Sequence, residues 1–196
     1  MEGFLIYIKH NFNFFWRIIE FGNSQIFSLL NKSSLDKILQ GVFQDFSVKP
    51  YVYRRLLISD AVSLYELINS QEKEDLEYFK PHKFDKLSIE KQFSNCSFLM
   101  MGAFDGNKLI GYFFLRFFAN RKCFVGRLID KNYRGNGIGK VMNNIMYETA
   151  WRMGFRCFST ISQSNKAIMN SHSSNKTMVV LKKLKNNYLL VEFIRG

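Results

Sequence analysis

Cysteine, proline and histidine are scarce in this chain, at three, two and three of 196 residues. Cys96, Cys123 and Cys157 are odd in number, far apart and set among apolar neighbours, which excludes a disulfide framework and fits reduced thiols in a core. The expected compartment is therefore a reducing one, the cytoplasm. No Cys-x-x-Cys or His-x-x-x-His spacing occurs, and His10, His82 and His172 stand apart, so no metal is expected. Acidic side chains are also few, 16 against 28 lysines and arginines, for a formal charge of +12 and a pI near 9.7. Such a field favours anionic ligands or surfaces, yet the cations never run to five in a row, which argues against a basic nucleic-acid-binding tail. No nucleic-acid partner is expected.

Long uninterrupted apolar runs are missing too. From Gly3 to Glu20 the chain is dense in Phe, Ile and Leu, but Lys9, Asn13, Arg17 and Glu20 recur at three- and four-residue spacings and draw a polar stripe down a helix. That interruption argues against a transmembrane span, and the segment lacks the basic start and small-residue cleavage site of a signal peptide. It is expected to stay on the protein. Gly22 and Asn23 should stop this helix, Ser24 should cap a second through about Leu30, and Ser34 a third towards Phe46. A helix apolar over most of its circumference must bury that surface against the rest of the chain, against a second subunit in a homodimer, or peripherally in a membrane interface. The few cations on its stripe favour protein over lipid.

What is present is apolar residue, 47% of the chain, enough for one sizeable domain. Pro50 divides a helical extension, residues 1–49, from the domain proper, residues 50–196. Tyr51 to Ile58 reads as a strand, and Ser59-Asp60 caps a helix with Ala61, Leu64, Tyr65, Leu67 and Ile68 on one face. Asn69 to Ser88 turns polar with embedded aromatics, a composition suited to an acceptor pocket; Tyr78, His82 and Phe84 are its candidate substrate contacts. Ser88 is expected to cap a short helix. Strands follow at Ser97 to Phe104 and Lys108 to Phe118, joined by the hairpin signal Asp105-Gly106-Asn107. Further on come a strand from Arg156 to Ser162, a short helix from Asn165 to His172, and a closing pair of strands from Thr177 to Lys182 and Tyr188 to Ile194.

The most informative stretch runs from Val125 to Gly154: a strand to Asp130, a glycine-crowded turn, then a long amphipathic helix with Ile138, Val141, Met142, Ile145, Thr149 and Met153 on one face. Gly126 inside the strand predicts a bulge or a close backbone approach by a ligand. In the turn, Arg134, Gly135, Asn136, Gly137, Ile138, Gly139 and Lys140 bring two cations and three glycines to a helix N-terminus. Unsatisfied amides and the helix dipole make that end an anion site, and glycines let a phosphate approach the main chain. The spacing does not fit a dinucleotide fingerprint, whose third glycine would come one residue later. Nor does it fit a Walker A loop, since Arg134 and Val141 stand where glycine and Ser or Thr are required.

Arg-Gly-x-Gly-Ile-Gly after a strand resembles the pyrophosphate loop of the GNAT acyl-CoA N-acyltransferase superfamily. The resemblance covers about residues 51–196. It implies an α/β fold with a mixed, mostly antiparallel sheet of six or seven strands flanked by helices. The sheet would be splayed between the Val125–Asp130 and Arg156–Ser162 strands to seat acetyl-CoA, and an extra helical segment would precede it. It also implies direct transfer of an acetyl group, in a ternary complex, to a primary amine; among small-molecule acceptors, a nucleotide-linked amino sugar suits the positive charge and the aromatic loop. A protein or peptide N-acetyltransferase and a non-catalytic coenzyme A-binding module remain open alternatives. Residues 134–140, with Leu128, Ile129 and Asn165, would hold the coenzyme, and main-chain amides near Gly126 to Leu128 would face the thioester carbonyl. Many members place a tyrosine seven residues after the asparagine; His172 stands there and is the candidate acid for the leaving thiolate. For the base, Asp130 at the strand end, Glu192 on the last strand, and His82 or Asp85 in the acceptor loop are candidates that the sequence does not order. Cys157 is disfavoured as an acyl carrier because an apolar strand raises a thiol's pKa.

Overall fold

The computed structural model describes residues 13–165, 169 and 177–195, with side chains from residue 18. A seven-stranded sheet carries the order β1-β2-β3-β4-β5-β7-β6. Its strands are β1 (Val52–Arg55), β2 (Phe98–Asp105), β3 (Lys108–Phe117), β4 (Lys122–Ile129), β5 (Arg156–Ser162), β6 (Met178–Lys183) and β7 (Tyr188–Phe193). Only β4 and β5 run parallel; every other neighbour pair is antiparallel. The helices are α1 (Asn13–Phe46), α2 (Ala61–Asn69), α3 (Lys73–Glu77), α4 (Lys86–Phe93) and α5 (Ile138–Arg152). This is the mixed α/β fold that the sequence predicts.

Helices cover both faces of the sheet, which explains why β3 reads as a nearly continuous apolar run rather than an alternating one. On one face Phe27, Leu35, Leu39 and Val42 of α1 and Met142, Ile145 and Met146 of α5 pack with Met101, Phe113 and Val191. On the other, Leu64, Leu67 and Ile68 of α2 and Ile89 of α4 pack with Phe98, Met100 and Tyr112. Each such side chain contributes roughly 2 kcal/mol when fully buried. Gly154, at φ +73°, ends α5 where expected.

β1 ends at Arg55 rather than Ile58, which opens a 3-10 turn, and β4 begins at Lys122 rather than Val125; beyond these shifts, two expected boundaries differ. Where three helices were expected before Phe46, α1 is a single one through Gly22 and Asn23. Gly22 faces open space. Asn23 uses its amide across the fold: Nδ2 donates to Ser97 Oγ (2.9 Å) and to Phe117 O (2.8 Å), and Oδ1 accepts from Ala119 N–H (2.9 Å). Ser24 Oγ likewise accepts from Cys96 N–H at 2.9 Å instead of capping its own helix. The local stop signals are outweighed because these side chains serve the sheet. Asn23→Ala should therefore cost about 2 kcal/mol in urea unfolding, since it strands buried partners, and leave the cleft described below unchanged. The second difference is at α4, where Asp85, not Ser88, is the cap: its Oδ1 accepts from Ser88 N–H at 2.9 Å.

The outer face of α1 leaves Phe21, Leu29 and Leu30 exposed at 66%, 84% and 69%. Even so, among the described residues no helix is long and apolar enough to cross a membrane.

Candidate active site

β4 and β5 pair only from Lys122↔Arg156 to Phe124↔Phe158. Beyond this fork, where Ser159 Oγ donates to Val125 O at 3.1 Å, the strands part around a cleft of about 1270 Å³ lined by residues 125–129 and 159–162. The β3–β4 register runs unbroken from Gly111↔Ile129 to Phe117↔Cys123. Asp130 N–H donates to Ile110 O and Phe118 N–H to Lys122 O, both at 2.9 Å, so even-numbered residues of β4 belong to the β3 ladder. Odd-numbered Val125, Arg127 and Ile129 therefore turn their N–H groups towards the parted strand. Leu128 keeps its amide in the ladder. There is no bulge at Gly126, and its missing side chain leaves room for protein: a Cβ there would lie 2.7 Å from Phe114 Cε1 and 3.5 Å from Phe79 Cε2.

At the end of β4 the chain makes a 3-10 turn, Lys131–Tyr133, and enters the glycine loop. Gly135 (φ +83°) and Gly137 (φ +76°) are left-handed and exposed, and a Cβ on either would meet nothing within 4 Å. Lys140 and Val141 N–H fold back onto Gly137 O. Among the described residues, no hydrogen bond engages the N–H groups of Gly135, Asn136, Gly137, Ile138 or Gly139. Asn136 turns its side chain back to Tyr133 O (3.3 Å), and Ile138 is buried as the anchor of α5. Five amides at a helix start, with Arg134 and Lys140 lining the same cleft, fit a diphosphate.

The other wall is made by α3 and the residues after it. Glu74, Asp75, Glu77, Tyr78 and Phe79 line the cleft, opposite Tyr188 of β7. Burial and the nearby Glu77 carboxylate raise the Tyr78 phenol, which stays protonated at neutral pH. These acids stand outside the expected site residues, although Glu72, Glu74, Asp75 and Glu77 crowd into six residues of a basic chain. Arg127, expected only for its main-chain amide, brings its side chain to the cleft as well, where Nε donates to Asn143 Oδ1 at 2.8 Å.

The other expected site residues are placed as follows. Tyr78 lines the cleft, whereas His82 and Phe84, with Leu76, line an adjoining hollow that shares Glu77 and Lys80 with the cleft. Both nitrogens of the His82 ring are engaged: Nδ1 donates to Lys83 O (2.7 Å), which leaves Nε2 to accept from Tyr112 Oη (3.0 Å). Burial lowers the His82 pKa and holds the ring neutral. Asp130 is buried with Oδ1 accepting from Asn132 N–H (3.0 Å) and Oδ2 paired with Lys108 (3.1 Å), away from the cleft lining. Burial opposes its ionisation, but the amide and ammonium outweigh it and hold the carboxyl below its usual range. Glu192 is bidentate to Arg156 at 2.8 and 2.7 Å, and its carboxyl is lowered by that contact. Asp85 caps α4. Asn165 lines the cleft, its N–H donating to Ser162 O at 3.1 Å. His172 lies outside the described residues. Cys157 is buried, and burial pushes its thiol pKa up.

A family model for the acetyltransferase (GNAT) family matches residues 62–173. No curated protein sequence matches the chain. Among solved structures, the PaiA N-acetyltransferase of Thermoplasma acidophilum, in complex with coenzyme A, is 21% identical over 74% of this chain and 99% of that one, with a TM-score of 0.62. The GNAT domain of S. lividans PAT is 13% identical over 72% and 88%, with a TM-score of 0.63. The ribosomal-protein-S18-alanine N-acetyltransferase of Escherichia coli is 9% identical over 74% and 96%, with a TM-score of 0.56. At these identities the likeness speaks for the fold.

Proposed function

The chain belongs to the acetyltransferase (GNAT) family, and we propose that it transfers an acetyl group directly from acetyl-CoA to a primary amine of a small molecule. The observation that carries this reading is the row of unengaged amides from Gly135 to Gly139 at the rim of a cleft between parted strands. Acetyl-CoA supplies the thioester carbon that the amine attacks and the thiol that leaves. The loop amides hold the diphosphate with Lys140 beside it, and Asn165 holds the pantetheine arm. The thioester carbonyl faces the odd-numbered amides of β4, an oxyanion role typically worth about 3 kcal/mol.

Amine attack forms an N–C bond as the C–S bond breaks. An alkylammonium has a pKa near 10, so it must first lose a proton. Glu77, a carboxylate beside Tyr78 on the acceptor wall, takes that role in place of Asp130, which is occupied elsewhere. His172 returns a proton to the departing thiolate. Glu74 and Glu77 favour an ammonium-bearing acceptor, so a nucleotide-linked amino sugar must keep its phosphates clear of them.

Thiol release from acetyl-CoA, measured against polyamines, amino sugars, nucleotide-linked amino sugars and peptide N-termini, tests the reading. Amine-dependent release with at least one small-molecule class is expected. Release with peptides alone would make the protein a peptide acetyltransferase, and tight coenzyme binding without release for any amine would make it a binding module.

A further inference from the structure

Two ion pairs join the turn and loop after β4 to α3 and the residue before it, and the partners of one of them, Arg134 and Asp75, both line the cleft. Arg134 sets its guanidinium fork on Asp75, Nη1 to Oδ1 and Nη2 to Oδ2, both at 2.9 Å, while Nε donates to Ile129 O at 3.3 Å. Lys131 reaches Glu72 at 2.6 Å. Both cations belong to the turn and loop after β4, and both acids to α3 or the residue before it. That helix has five residues, none fully buried, and no side-chain cap; Leu76 alone of its side chains packs against the second core cluster, so the two ion pairs are its polar ties to the β4 side of the cleft. Directly after it come Tyr78 and Phe79, which form the acceptor wall. Phe79 packs edge-on to Tyr112 at 5.8 Å and stands over Gly126.

We infer that Asp75 straps α3 across the glycine loop and that the coenzyme's diphosphate undoes the strap by taking Arg134 from it. The inference rests on residues 135–139 being the diphosphate site. The Nη1/Nη2 edge of a guanidinium serves one bidentate oxyanion at a time and here the Nε edge is turned to Ile129 O, so a diphosphate seated on those amides arrives beside a fork already engaged by Asp75. It also brings negative charge up to Asp75 and Glu74. The pair it displaces is partly exposed, with side-chain exposures of 44% and 24%, so the cost of breaking it is small. Once Asp75 lets go, Lys131–Glu72 is the remaining ion-pair tether, and Tyr78 and Phe79 gain room for the acceptor amine. The coupling is reciprocal: whatever holds α3 closed weakens coenzyme binding by the same factor. Asp75 is thus a positioning residue that acts through Arg134.

The test compares full-length wild type with Asp75→Asn by calorimetric titration of coenzyme A and by trypsin digestion with mapped fragments. An exposed pair is worth up to about 1 kcal/mol, so Asp75→Asn should tighten coenzyme A binding about threefold. In the wild type, coenzyme A should speed cleavage at Lys73, Lys80 and Lys83; in Asp75→Asn those sites should be cut quickly with or without it. A merely structural Asp75 would show weaker coenzyme binding in the variant. Unchanged or weaker binding, or protection of these lysines by coenzyme A in the wild type, overturns the inference while leaving the coenzyme site intact. Failure of the wild type to bind coenzyme A at all overturns both.

Discussion

Gly137→Asp raises the dissociation constant for coenzyme A by about 100-fold or more, close to 3 kcal/mol, in a protein that still folds. The position is left-handed with open space around its missing Cβ, so an aspartate enters without collision and at the modest backbone cost that Asn and Asp pay at positive φ. Its carboxylate then stands where the diphosphate should sit and caps the amides meant for it. Gly154→Asp is the matched control, because it has the same left-handed backbone (φ +73°) and open surroundings at the other end of α5. Calorimetry on both variants separates loss of an anion site from backbone strain. Equal affinities in folded proteins would remove the loop from coenzyme binding.

Gly126→Val should spare coenzyme affinity to within a few-fold and lower kcat/KM at least 100-fold. Even a bare Cβ at this position would lie 2.7 and 2.9 Å from the Phe114 ring and 3.5 Å from Phe79. Phe114 sits in the core with Phe98 and Tyr112, so it cannot yield without moving the acceptor wall. Overpacking of this kind costs about 1–3 kcal/mol, which thermal unfolding will register. The double variant Gly126→Ala/Phe114→Leu restores volume and should recover much of the stability lost in Gly126→Ala. A Gly126→Val protein with full turnover would show that this strand segment is not near the reacting atoms.

The glycine loop was legible because its chemistry is local: spacing, charge and the following helix lie within a few residues of one another. The parting of β4 from β5 followed from the family resemblance that this loop carries. Strand positions were legible as well, because apolar runs and turn residues punctuate them; Arg156–Ser162 has the expected bounds. Misjudged elements had partners distant in sequence. Gly22, Asn23 and Ser24 read as a stop and a cap, but Asn23 and Ser24 bond Ser97, Phe117, Ala119 and Cys96, more than seventy residues away. Asp130 and Glu192 read as spare acids because Lys108 and Arg156 are not their sequence neighbours. His82 read as a pocket residue until Tyr112, thirty positions on, engaged its ring. The acids of α3 were hidden in a stretch that looked like an ordinary polar loop.

The most direct test of the central claim is amide NMR on protein labelled with ¹⁵N-glycine, titrated with coenzyme A. Resonances of Gly135, Gly137 and Gly139 should move downfield as their N–H groups take up the diphosphate, while Gly106 and Gly154 stay in place. If coenzyme A binds and the three loop glycines do not shift, or if it does not bind, the acetyl-transfer account of this cleft is wrong.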